Sequence, residues 1–345
     1  MPKEKSINIL LKAQILIQSS LLLLSLMIIS ACQPISSTPL QRWQHAIEGS
    51  YAGSISADSR YSVTSSIHHG ISLWDITNNS LKFNWFQKKG QDDNLVLLLN
   101  IAHNGSHVLS ASRQNFALWN TTTGQSEGYW HISDANIRDI ALSNNAQHLL
   151  IGQSNGSVIH VTMKNGRRLE FLGHKEKINT LDLLPNGRVA ISGGNDFNTY
   201  VWDTLSGQVI YHFPHNSRVS KVALDPQGRY AFSADSMHTA NIWDLKTGER
   251  ISQLQGTKRH EVFSTVRFSP DGQTLVTGAA NRKVSLWHIT SGERLATWFI
   301  SPKEAKRPTG AVVYSVAFRD NDSILTESSS GYMELWPMPK TIKPL

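Results

Sequence analysis

The chain has one cysteine among 345 residues, so no disulfide can form within it and burial alone must hold the fold. For a short exported domain that absence would be severe, but a body of about 300 residues buries enough apolar surface unaided. Gly at 23 and Pro at 12 are ordinary, and 40% of residues are hydrophobic, which argues against a disordered chain. Beyond the first forty residues no stretch keeps a helical period; short β-branched runs alternate with turn residues instead. No H-E-x-x-H occurs, since His260-Glu261 is followed by Val-Phe-Ser. Of the fourteen histidines only His68-His69, His103…His107 and His212…His215 form close pairs, and none sits in a carboxylate or cysteine set of ligand spacing. Asp320-Asn321-Asp322 lacks the glycine and distal glutamate of a calcium loop. No metal and no organic cofactor is therefore expected. Gly152-Gln153-Ser154-Asn155-Gly156 spells G-x-S-x-G, but a strand over 157–163 follows where a nucleophile elbow needs a helix, so no catalytic residue is expected either.

What is present begins with a separate N-terminal object. Lys3, Lys5 and Lys12 precede a mostly apolar stretch over 15–29, and small residues Ser30-Ala31 follow, which is the order of a secretory signal peptide. An uncleaved membrane anchor is the alternative. Gln14, Gln18, Ser19 and Ser20 count against it, because they leave an apolar run much shorter than the ~20 residues a spanning helix needs. Ile29-Ser30-Ala31-Cys32 resembles the lipobox of bacterial lipoproteins. The resemblance implies cleavage between Ala31 and Cys32 and acylation of Cys32. Each buried methylene contributes ~0.8 kcal/mol, so the several chains expected on such a cysteine anchor it stably. Gln33 is not Asp, which by the sorting rules of that class implies the outer membrane of a Gram-negative cell, with the body facing the periplasm. The chain then divides into a signal peptide (1–31), a lipidated linker (32–40) and a body (41–345).

The body is periodic. Tryptophans end short apolar runs in Leu73-Trp74-Asp75, Leu118-Trp119-Asn120, Val201-Trp202-Asp203, Ile242-Trp243-Asp244, Leu286-Trp287-His288 and Leu335-Trp336-Pro337. Their spacings are 45, 83, 41, 44 and 49, and the gap of 83 is two repeats with Val161 holding the tryptophan slot of a degenerate one. That makes seven copies. Five residues after the anchor stand Gly124, Gly166, Gly207, Gly248 and Gly292, suited to tight hairpin turns. Ten residues before it stand Thr64, Ser192, Ser233, Thr277 and Thr326. Each repeat reads as four short strands.

This pattern resembles the WD-repeat family over residues 41 to 341, with Gly173-His174 and Trp202-Asp203 as the one complete Gly-His/Trp-Asp pair. The resemblance implies an all-β, seven-bladed β-propeller of four-stranded antiparallel blades. It also implies a buried tetrad of His174, Ser192, Asp196 and Trp202. His215 and His260 fall in the histidine slot, but Met237 and Asn281 replace the aspartate, so those tetrads are incomplete. The last repeat ends after its third strand at Trp336, while Trp43 lies in a strand with no inner strands ahead of it. The N-terminal strand near Arg42 to Ile47 should therefore close the last blade and hide both open edges. All ten tryptophans are then structural.

Charge supplies the remaining lead. Without residues 1–31 the chain keeps thirty basic and twenty-five acidic residues. The six connections from an outer strand to the next inner strand carry eleven basic and six acidic residues, the whole excess. In propellers of this family these connections share the usual partner face, so a rim of Lys258, Arg259, Lys303, Lys306 and Arg307 is a candidate for steering an acidic protein surface or anionic headgroups. A solvated mixed-charge rim is the plainer alternative. The resulting expectation is a monomeric, membrane-anchored, non-enzymatic scaffold for a protein partner, with no nucleic acid. Two other readings stay open: an envelope enzyme or small-ligand binder using the central channel, and an accessory factor in outer-membrane assembly.

Overall fold

Each repeat folds as one four-stranded antiparallel sheet, and there are seven sheets. The computed structural model describes residues 38–66, 68–86, 95–237, 239–257, 261–303 and 310–339. Ala31 and Cys32, and with them the signal peptide and the linker as far as residue 37, lie outside the described residues, as do Lys258, Arg259, Lys306 and Arg307. Blades one to six span 52–85, 98–131, 137–171, 178–214, 219–253 and 263–299. Blade seven consists of Val313–Phe318, Ser323–Ser328 and Tyr332–Pro337, completed by the strand Gln41–Gln44. That strand pairs antiparallel with Tyr332–Pro337, Trp43 opposite Met333, so the ring closes through the N-terminal strand. The innermost strands contact one another in an unbroken circle from blade one round to blade seven.

Turn chemistry sets the hairpins. Gly124, Gly166, Gly207, Gly248 and Gly292 close the turn before the outer strand with φ between 68° and 77°, where a side chain is strained. At Gly292 an added Cβ would come within 2.2 Å of the Gln253 carbonyl oxygen, so both conformation and space demand glycine.

Burial follows from position in the sheet. Second strands are sandwiched between neighbouring blades on both faces, and every residue of Thr274–Ala279 and Ser323–Ser328 is buried. Outer strands such as Val209–Pro214 face solvent over most of their length, with Phe213 turned inward. Trp202, Trp287 and Trp336 are fully buried between blades, where truncation to alanine costs ~3–5 kcal/mol. Trp202 stacks on Phe171 of blade three at 4.5 Å and Trp243 on Phe213 of blade four at 3.9 Å, so these anchors hold their blades to a neighbour. In the degenerate blade three, Val161 packs with Phe116, Leu118, Leu149 and Ile151, and Trp130 from blade two leans on the same cluster.

Candidate functional site

The four tetrad residues of blade four meet. His174 Nε2 lies 2.9 Å from the Ser192 hydroxyl, which also accepts the Trp202 indole N–H at 3.3 Å. His174 Nδ1 lies 3.0 Å from Asp196 Oδ1. Burial pushes the Asp196 carboxyl up. The hydrogen bond and charge of His174, with the backbone N–H groups of Lys175 and Asn198, outweigh it and hold the carboxyl below the usual range. Asp196 thereby ties the connection entering blade four, through Lys175 N at 3.1 Å, to the hairpin carrying residue 197. Blade five shows the incomplete version. His215 Nε2 reaches Ser233 at 2.9 Å, but its Nδ1 is buried without a partner among the described residues, and burial, opposed by Asp235, lowers its pKa. Blade two has an anchor bond the repeat register did not predict. Trp119 donates to Ser110 at 2.8 Å, nine residues back rather than ten.

Of the expected rim, only Lys303 lies among the described residues. Lys303 is half-buried and donates to the Glu48 backbone carbonyl, so it ties the blade-seven connection to the segment after the closing strand. The exposed basic residues described on this face include Arg113, Arg138, Lys175, Lys177 and Arg218. Beside them stand two apolar residues that the sequence reading missed, Leu172 at 72% exposure and Phe197 at 48%. Phe197 has φ 67°, as do Gly156, Arg282 and Gly331 at the same offset from their anchors in sign if not value. A bulky side chain there is strained, and glycine is the cheaper choice. An aromatic at a turn position that favours glycine was the available signal.

The other motifs resolve locally. Ser154 lies between the strands His148–Gln153 and Val158–Thr162, and its hydroxyl accepts the Asn136 N–H at 3.0 Å. Among the described residues no three of His, Cys, Asp or Glu gather as a metal site would require.

The channel collects charges from separate blades. Pairing of the first and second strands skips a residue in blades three to seven, and the residues after the bulge are Asp139, Thr180, Lys221, Thr265 and Ser315. Innermost strands of adjacent blades belong to different sheets, so side chains satisfy part of their backbone. Asp139 accepts Leu181 N at 2.9 Å, Asp182 accepts Leu224 N at 2.8 Å, and Ser315 accepts Ile55 N at 3.0 Å, each from the next blade. Burial raises the pKa of both aspartates; Lys221 opposes it most at Asp139, and the Leu224 N–H most at Asp182. These carboxyls lace the ring. Their blade-to-blade spacing of about 42 residues hid the aspartates, although a carboxylate inside each of the strands Ile137–Leu142 and Ile178–Leu183 marks both points.

Two segments, 166–203 and 248–288, match the family model described as WD domain, G-beta repeat. They end on the hairpins carrying Trp202-Asp203 and Trp287-His288. The fold is a seven-bladed β-propeller, and the two matched segments are similar to WD repeats. A chain in the solved structure titled "Crystal Structure of Mitotic Checkpoint Complex" superimposes with a TM-score of 0.71 at 16% identity, covering 89% of this chain and 94% of that one. At that identity the likeness is one of fold. No curated protein sequence matches the chain.

Proposed function

We propose that this chain is a monomeric, non-enzymatic interaction platform of a Gram-negative envelope, held at the outer membrane by lipid on Cys32 and docking an acidic protein through the connection face. Phe197 carries this reading. It is an aromatic held partly exposed, at a conformational cost, on a turn pinned by the tetrad and flanked by Lys175 and Lys177. Aromatic anchors inside a charged rim are the usual form of a binding hot spot. The similarity to a chain solved within a protein complex agrees with a docking role. Lys258, Arg259, Lys306 and Arg307 would extend the basic rim towards blades six and seven.

The test combines Lys175→Glu, Lys177→Glu and Arg218→Glu in one variant and follows partner capture in intact envelopes. Capture should fall and should lose its salt sensitivity, whereas unchanged capture contradicts the reading. Cys32→Ala should release the protein from the membrane fraction. Retention there would remove the lipid anchor from the account.

A further inference from the structure

The channel opens, on the side away from the connection face, into a cavity of about 330 Å³. The turns between first and second strands form it, since those strands run from the connection face towards this mouth. Its volume is in the range of small-ligand sites. Phe268, Phe318, Pro226 and Pro270 make apolar walls. Arg267 and His103, with Phe268 and Pro226 beside them, line both this cavity and the channel behind it, so the two polar residues stand at its floor.

Both floor residues have unused capacity. Arg267 donates from Nε to the Val316 carbonyl at 3.2 Å and from Nη2 to the Ile55 carbonyl at 2.9 Å. Those acceptors are neutral. Asp182 and Asp58 act on the guanidinium only from beyond ion-pair distance among the described residues. A desolvated cation without a contacting anion is costly, and an anion brought against it offsets that cost. His103 Nδ1 is buried and has no hydrogen-bond partner among the described residues. Burial, then the Arg267 charge, holds the His103 pKa down to about 3, so the ring is neutral near pH 7 and can share a hydrogen bond without adding charge.

We infer that this mouth binds a small organic carboxylate with a flat apolar body, the carboxylate against Arg267 and His103 and the body between Phe268, Phe318 and the prolines. The site is independent of the docking face, and neither depends on the other.

The probe is 2-naphthoate, titrated into the full chain in detergent and followed by saturation-transfer NMR, with 2-naphthamide as its uncharged counterpart. The naphthoate should bind saturably, and the amide at least ~tenfold more weakly, about 1.4 kcal/mol. Ala57→Trp, which fills the mouth, should weaken naphthoate binding by at least about tenfold, while Phe197→Gly on the opposite face should leave it unchanged. If Ala57→Trp fails to fold by thermal melt, Gln227→Trp at the exposed rim of the same cavity serves in its place. No saturable binding, equal binding of acid and amide, or binding indifferent to the filled mouth would each overturn the assignment.

Discussion

The imidazole Nδ1 of His45 lies 2.9 Å from Oε2 of Glu327, a buried contact across 282 positions of chain. The same carboxylate oxygen accepts the Ser62 hydroxyl at 2.8 Å, and the His45 ring lies flat on Trp74 at 4.5 Å. The segment after the closing strand is thus pinned to blade seven and blade one together. The seam is a polar lock as well as a strand pairing.

His45→Ala removes one partner of a buried ionisable pair and leaves Glu327 with Ser62. It should destabilise the propeller by ~3 kcal/mol, the lower end for a broken buried pair. Urea unfolding measures it, with Gln41→Ala on the exposed strand as a control expected within ~0.5 kcal/mol of wild type. Equal midpoints for the two variants would show that the strand pairing alone closes the ring.

The tetrad of blade four and its remnant in blade five make a matched experiment. Ser192→Ala removes the hydroxyl that accepts the Trp202 indole N–H and bonds His174 Nε2, and should cost ~2 kcal/mol. Met237→Asp places an acceptor six residues before Trp243, the offset of Asp196 from Trp202. It should raise the His215 pKa, read by NMR titration, and add ~1 kcal/mol of stability. A His215 titration that stays where it was would show that residue 237 does not reach the ring.

Most of the fold was legible because repetition multiplies weak signals. One Trp in a β-branched run says little, but six in register with glycines five residues on define blades, turns and closure. The docking face was legible only in part. Only Lys303 of the predicted rim lies among the described residues, and its bond to the Glu48 carbonyl was not legible, because a backbone acceptor leaves no mark in a side-chain sequence. The channel cluster stayed hidden because Asp139, Asp182, Lys221 and Arg267 come from four blades, and sequence order carries no information about which residues face the axis.

His160 gives the account a pH signature. It is buried, its Nε2 lies 3.0 Å from His148 Nδ1, and burial, then His148 and Arg167, lower its pKa from 6.5 to about 4. A histidine held neutral by the fold contributes full stability above pH 6.5 and loses it as pH falls towards about 4, because the unfolded chain takes up the proton first. The stability difference between wild type and His160→Gln should therefore be flat above pH 7 and shrink against wild type between pH 6.5 and about 4. Urea midpoints across that range decide it; a constant difference would mean that the ring titrates normally when folded.

Phe197→Gly separates stability from binding. The left-handed conformation costs a side chain ~1–2 kcal/mol, and the extra unfolded-state freedom of glycine takes back ~0.5–1 kcal/mol. The variant should melt at or slightly above the wild-type temperature while capturing less partner. Lower thermal stability with partner capture intact would make Phe197 a packing residue.

The most direct test of the docking claim is site-specific photocrosslinking in intact envelopes. A photoreactive phenylalanine analogue at position 197 is compared with one at position 227 on the opposite mouth. One discrete protein adduct is expected from position 197, absent from position 227 and lost in the Lys175→Glu, Lys177→Glu, Arg218→Glu background. The same adducts from both faces, or an adduct at 197 indifferent to that charge reversal, would contradict the docking claim.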